Sequence, residues 1–445
     1  MRSLTVAVCS VIALGACSAP VSDSTVTRAS SQFPPAPASP EGPLEDSVAE
    51  ALDRAWEAFP HPAPGDLTAI GDSDDPRLAW LLADFLRFVG VGEEADAARE
   101  ALTALTGLEI HSPTGWVGVV NHLIAWDTPA PPDYVEYKRH VFTATDERWA
   151  PFFVSDGEAE YRWWTWGGVL IDDRGPGDSG PCSGCIPAVD DPEVDTAEGG
   201  DWYPDERLVL GVVIGDEARA YPRNILEVHE MVNDSLGGRS FALVYCTLCG
   251  SGQLYFTDDL PADTPRPVMR TSGLLTRSNK VMYDVVSGSV FDTFTGRAVT
   301  GPLWKAGVQL NQGTVITSTW GDWKAGQPDT TIVVLDGGAG RSYGLDPLGE
   351  RDADGPIFPV GERDPRLDSR EPVLGVVVAD VPVAFPVAAA RDALLGGAIV
   401  AAGGVEVSLE SGGLVAASEG RVVPSHQAFW FAWSQFHPDT LLWEG

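Results

Sequence analysis

Apolar residues along the chain follow a helical period first and a strand period later. Val48, Leu52, Trp56 and Phe59 recur at three- and four-residue steps over 45–59, and Leu78, Leu81, Leu82, Phe85 and Leu86 do so over 76–91. Both spacings put apolar side chains on one face of a helix. The period continues over 93–106. A mixed stretch over 116–153 holds Trp126, Trp149, His122 and His140, read as core and surface residues rather than ligands. The acids Asp72, Asp74 and Asp75 before Pro76 suit a helix start and lack the Gly and closing Glu of a calcium-binding loop. These elements predict a small helical module over 45–155.

From about residue 156 the period shortens to two. Phe241, Leu243 and Tyr245 alternate with Ala242, Val244 and Cys246, and after Gly250-Ser-Gly252 the apolar pattern resumes at Leu254. Two strands bent around Cys246-Thr-Leu-Cys249 are expected. Further short strands are predicted at 270–275, 280–286, 289–294 and 314–319, with helices over 222–232 and 386–395. The fold class is therefore α+β, a small N-terminal helical module followed by a mainly antiparallel β domain.

Two ungapped matches occur inside the β region. Residues 208–222 align with 372–386 through shared Val, Leu, Gly, Val, Val, Asp, Ala and Pro. Trp320-x-x-Trp323 with Pro328-Asp-Thr330 has its counterpart in Trp430-x-x-Trp433 with Pro438-Asp-Thr440. Two matches in the same order suggest duplication. They predict two related halves, 156–335 and a shorter 336–445, of which only the first carries cysteines.

The N-terminus has its own pattern. Met1-Arg2 precedes an apolar run over 4–14 that is too short to span a bilayer and ends in Leu14-Gly-Ala-Cys17-Ser18. The ending resembles a bacterial lipobox. It implies a signal peptide over 1–16, lipidation at Cys17, a Ser/Pro/Ala-rich tether over 17–44, and a chain held outside the cytoplasm by a lipid anchor. With 64 acidic against 29 basic side chains and a net charge of −35, the chain repels a phosphate backbone, which argues against a nucleic-acid partner. A small-molecule ligand or another envelope protein stays open as a partner.

Beyond the leader, four cysteines form two Cys-x-x-Cys pairs, Cys182/Cys185 and Cys246/Cys249. Three readings stand. Cys246, Cys249 and His229 could hold copper or zinc, with Met282, Met231 or the Cys182/Cys185 pair completing the shell. His229 enters because it shares a face with Ile225, Leu226 and Val232 on the 222–232 helix, a dozen residues before the hairpin. The cysteines could instead form disulfides, within or across pairs, as an oxidising compartment permits. They could also be inert small apolar groups. Asn233, Asp234, Tyr283 and Asp284, polar positions bounded by apolar ones, are candidates for a nearby pocket. No phosphate-binding loop or His-Glu-x-x-His helix occurs, and Gly177-Asp-Ser-Gly-Pro181 lacks the histidine context of a serine protease, so no catalytic residue is assigned.

Several motifs together resemble a known family, the bacterial and archaeal domain of unknown function 3179. They are Cys185-Ile-Pro-Ala-Val-Asp-Asp-Pro192, Ala220-Tyr-Pro222, His229-Glu-Met-Val-Asn-Asp234, Val244-Tyr-Cys-Thr-Leu-Cys-Gly250, Ser272-Gly273, Met282-Tyr-Asp284 and the stretch from Trp320 to Thr330. The resemblance is close over 180–335 and looser beyond. It implies an uncharacterised, commonly exported domain. Thr247 stands where the family usually has Pro and Phe291 where it has Trp, and Cys182 and Cys185 fall where other residues are expected. The expected function is that of an extracytoplasmic lipoprotein acting through a metal or through thiols at Cys246/Cys249. The alternative is a non-enzymatic envelope module whose cysteines are structural disulfides.

Overall fold

Helical periodicity is realised first. The computed structural model of the chain describes residues 33–337, 340–349 and 355–445, and the leader with Cys17 lies outside them. Helices span Asp46–Glu57, Pro64–Gly71, Ala79–Phe88, Glu93–Thr106, Trp116–Ala125 and Tyr134–Thr145. Asp75 caps the turn before Ala79 by accepting from the Arg77 amide, so the acids there serve a helix start. The end of the presumed tether is docked rather than loose. Trp126 donates to the Pro34 carbonyl at 2.7 Å and Arg77 to the Gly42 carbonyl at 2.9 Å. No helix among the described residues is long and apolar enough to cross a membrane.

Among the described residues the remainder is mainly antiparallel and forms five small sheets in a propeller-like ring. The two matched segments fold alike. Leu208–Ile214 pairs with Glu217–Pro222 and is flanked by Ile316–Thr319, and Pro372–Val378 pairs with Val381–Pro386 and is flanked by Ser425–Phe429. Gly211 and Gly375 lie under Trp323 and Trp433, so close that a Cβ at either would overlap the indole. Each indole donates to a threonine hydroxyl at 2.9 Å, Thr330 in one case and Thr440 in the other. The likeness stops at one sheet and its helix. The other three sheets have no such counterpart, and the division into two related halves is not supported.

One sheet carries the cysteine hairpin, in the order Gln312–Gly313, Ser251–Phe256, Arg239–Cys246, Met231–Leu236, Val189–Asp190. The helix expected over 222–232 is shorter, Arg223–His229. Glu230 takes a left-handed backbone (φ 56°) that ends it, and the chain returns as the strand Met231–Leu236 along the hairpin. Helices and sheets share one apolar cluster. It includes Trp80, Phe85 and Trp149 of the helical region with Leu274, Val281, Trp433 and both hairpin cysteines. Trp149 fixes this junction by donating to the Ser272 carbonyl at 2.7 Å.

Candidate functional site

Strand alternation carries Cys246 to the end of Arg239–Cys246, directly opposite Ser251. The turn between them closes with the Cys249 amide donating to the Cys246 carbonyl at 3.2 Å, and Gly250 completes it in the left-handed region (φ 55°). Both residues are buried thiols, Cys246 2% and Cys249 0% exposed. Phe429 from the far end of the chain closes over the turn. Its amide donates to the Cys249 carbonyl at 2.8 Å, and its ring lies 2.8 Å from where a Gly250 Cβ would stand.

A second hairpin faces the thiols. Arg277 and Ser278 are both left-handed (φ 48° and 67°), making a tight turn between Met269–Thr276 and Asn279–Asp284. That turn puts the Ser278 carbonyl and Asn279 Oδ1 each 3.4 Å from Cys249 Sγ, two acceptors that compete with Cys246 for its one proton. Next along the strand, Lys280 is buried and bonds Glu230, 2.5 Å to the carboxylate and 3.2 Å to the carbonyl. Thr247 donates to the other Glu230 oxygen at 2.8 Å.

These groups decide the state of the Cys246 thiol. Burial pushes it up and the Glu230 carboxylate adds to that, while the hydrogen bond from Cys249, the Lys280 ammonium and the Lys280 amide pull it down. The net direction is below the ordinary thiol value, which favours the Cys246 thiolate.

The other residues singled out in the sequence lie elsewhere. His229 Nδ1 is 2.6 Å from the Pro187 carbonyl and Nε2 is 2.5 Å from the Tyr343 hydroxyl. Burial pushes its pKa down to about 4, so it is neutral, donating from Nδ1 and accepting at Nε2 with no lone pair left for a metal. Met282 packs with Met231, Met269 and Phe291 in an apolar cluster separate from that of the thiols. Asn233 and Asp234 satisfy structural partners, Asn233 bonding Asp190 and the Met269 backbone and Asp234 accepting from Arg219 and Tyr221. Tyr283 donates to the Asp172 carbonyl, and Asp284 accepts from the amides of Val268, Val286 and Ser287.

Cys182 and Cys185 are bonded to each other in an irregular loop, their Cα atoms 5.6 Å apart. With Asp172 they form the one group of three metal-capable side chains, among the described residues, whose ligand atoms all lie within 4.8 Å of one another. The Asp172 carboxylate there already accepts from Arg174 and the Ala188 amide, with Arg270 3.8 Å away. Two guanidiniums oppose a cation at that point.

Sequence reasoning missed Glu230, Ser278, Asn279 and Lys280. A lysine opening the otherwise apolar run Val281-Met-Tyr283 was the available signal, since a charge on a buried strand needs a partner.

The family model described as "Protein of unknown function (DUF3179)" matches residues 183–411, more than half of the 445. No curated protein and no solved structure matches the chain.

Proposed function

The chain belongs to the DUF3179 family, and since that family is one of unknown function we propose from the site itself that Cys246 and Cys249 form a two-electron dithiol–disulfide redox centre. The observation that carries this is a thiol pair at Cys-x-x-Cys spacing in which Cys249 hydrogen-bonds Cys246 beside the Lys280 ammonium. Such a setting favours one thiolate as attacking group and a neighbour as resolving thiol. Oxidation joins the two sulfurs and releases two protons and two electrons, and reduction reverses this. Lys280 stabilises the thiolate, Glu230 holds Lys280 and is itself held by Thr247, and the Ser278 carbonyl and Asn279 offer the Cys249 proton a second resting place when it leaves Cys246.

The metal reading is less well supported, because the histidine and methionine grouped with the thiols do not join them. The leader ending at Cys17 supports carriage of this centre outside the cytoplasm on a lipid anchor. Metabolic palmitate labelling that persists in Cys17→Ser would sink that part.

The test of the redox centre is equilibration of the full chain in dithiothreitol redox buffers, with mass spectrometry of the cysteine-containing peptides. A reversible Cys246–Cys249 disulfide at a defined potential is expected, unchanged in the Cys182→Ser/Cys185→Ser double variant. Thiols that stay reduced in the most oxidising buffer, and under diamide and hydrogen peroxide, until the protein unfolds would overturn the proposal.

A further inference from the structure

The register of the thiol hairpin lines up polar groups beside Cys246. Cys246 lies opposite Ser251 and Val244 opposite Gln253, and residues directly opposite in an antiparallel pair share a face. Alternation along the second strand then puts Ser251 and Gln253 on the face that carries Cys246. Both are 0% exposed. Neither the Ser251 hydroxyl nor either end of the Gln253 amide has a hydrogen-bond partner in the protein. Ser278 Oγ, on the residue whose carbonyl meets Cys249, has none either. Buried amides are nearly always bonded, and an apolar residue of the same shape would cost less here. A glutamine in this position suits a small polar guest that both donates and accepts.

Burial narrows the guest further. Attack on a disulfide requires its sulfur to approach Cys246 Sγ in line, which a thiol 2% exposed does not offer to a peptide or protein disulfide. A molecule built around two bonded oxygens is small and can both donate and accept. We propose that Cys246 reduces a small hydroperoxide, hydrogen peroxide or a short alkyl hydroperoxide, held by Ser251 and Gln253. This rests on the dithiol reading above.

The Cys246 sulfur attacks the near oxygen and the O–O bond breaks. The far oxygen leaves as water or alcohol with the proton given up by the Cys246 thiol, and Cys246 becomes a sulfenic acid. Cys249 then attacks that sulfur, expels water and forms the disulfide. In sum, two thiols and one hydroperoxide give one disulfide, one water and one alcohol, or two waters from hydrogen peroxide. Ser251 and Gln253 act by donating to the leaving oxygen as charge develops on it.

The experiment is single-turnover oxidation of the reduced full chain by hydrogen peroxide, and separately by diamide, followed by mass spectrometry. Folded Cys246 should react at least ~100-fold faster with peroxide than the same residue in the urea-unfolded chain, through its lowered pKa and the placed donors. Gln253→Leu should slow the peroxide reaction at least ~10-fold, the value of one lost hydrogen bond in the transition state, and leave the dithiothreitol potential unchanged. Ser251→Ala serves the same purpose should Gln253→Leu not fold. A reversible disulfide in dithiothreitol with a peroxide rate no faster than in the unfolded chain, or indifferent to both substitutions, overturns this inference and leaves the dithiol centre standing. No Cys246–Cys249 disulfide under dithiothreitol, diamide or peroxide overturns both.

Discussion

Cys182 and Cys185 sit half-buried in a loop of Pro, Ser and Gly and are bonded to each other, whereas Cys246 and Cys249, at the same spacing, close a strand turn and are buried as thiols. The loop pair has a saturated carboxylate with two arginines for company. The hairpin pair has an amide, an ammonium and a threonine-held glutamate. Spacing therefore says only that two sulfurs can meet. What surrounds them separates a bonded pair from a pair of buried thiols, and for the thiols that surrounding comes from Ser278-Asn-Lys280, Glu230 and Phe429.

The sharpest way to test that contrast is to remove the cation from the hairpin. Lys280→Met leaves the Glu230 carboxylate buried with Thr247 as its remaining side-chain partner, and losing one member of a buried ion pair costs about 3–5 kcal/mol. Urea unfolding should show that loss, and adding Glu230→Gln should recover most of it. In the folded fraction, iodoacetamide labelling of Cys246 should need higher pH, because a contribution that lowered the thiol is gone. The Cys182–Cys185 bond should stay intact throughout. A labelling profile that does not move would break the proposed division of roles.

Acid provides the smaller, complementary test on the loop side. Neutral His229 ties the segment after Cys185 to the fold through the Pro187 carbonyl. Its pKa is depressed from the ordinary 6.5 to about 4. Between those values the unfolded chain takes up a proton that the folded one refuses, so stability present at neutral pH is lost as pH falls through that window. The size is about 3–4 kcal/mol, at roughly 1.4 kcal/mol per pKa unit. His426 and His437, depressed to about 3 and about 4 by burial, add losses of the same sign. The part due to His229 is the difference in pH slope between the parent and His229→Gln, measured by urea unfolding from pH 7 to pH 4.

Much of the fold could be read from local pattern. The helical region and the hairpin around Cys246 rest on period, turn residues and short-range spacing. The misreadings came from elsewhere. The helix before the hairpin stops at His229 because Glu230 adopts a backbone conformation that no propensity for Glu predicts. His229 looked like a neighbour of the thiols because it is near in sequence, yet its partners Pro187 and Tyr343 lie 42 and 114 residues away. Lys280 was legible only as a charge in the wrong place, and its meeting with Glu230 depends on how two sheets stack. Nothing in the sequence marks Gln253, whose lack of a partner shows only in the fold.

The contact of Phe429 with the Cys249 carbonyl has a bearing on how the protein is made. The hairpin can bend as soon as residue 256 has emerged, and its facing turn by residue 284, but the ring that closes over Gly250 belongs to one of the last strands of the chain. Until synthesis is almost complete the Cys249 end of the turn lacks that cover, with Cys182 and Cys185 already made and able to pair with its thiol. A chain cut short before Ser425 would leave that turn uncovered, and such fragments should betray themselves as scrambled disulfides.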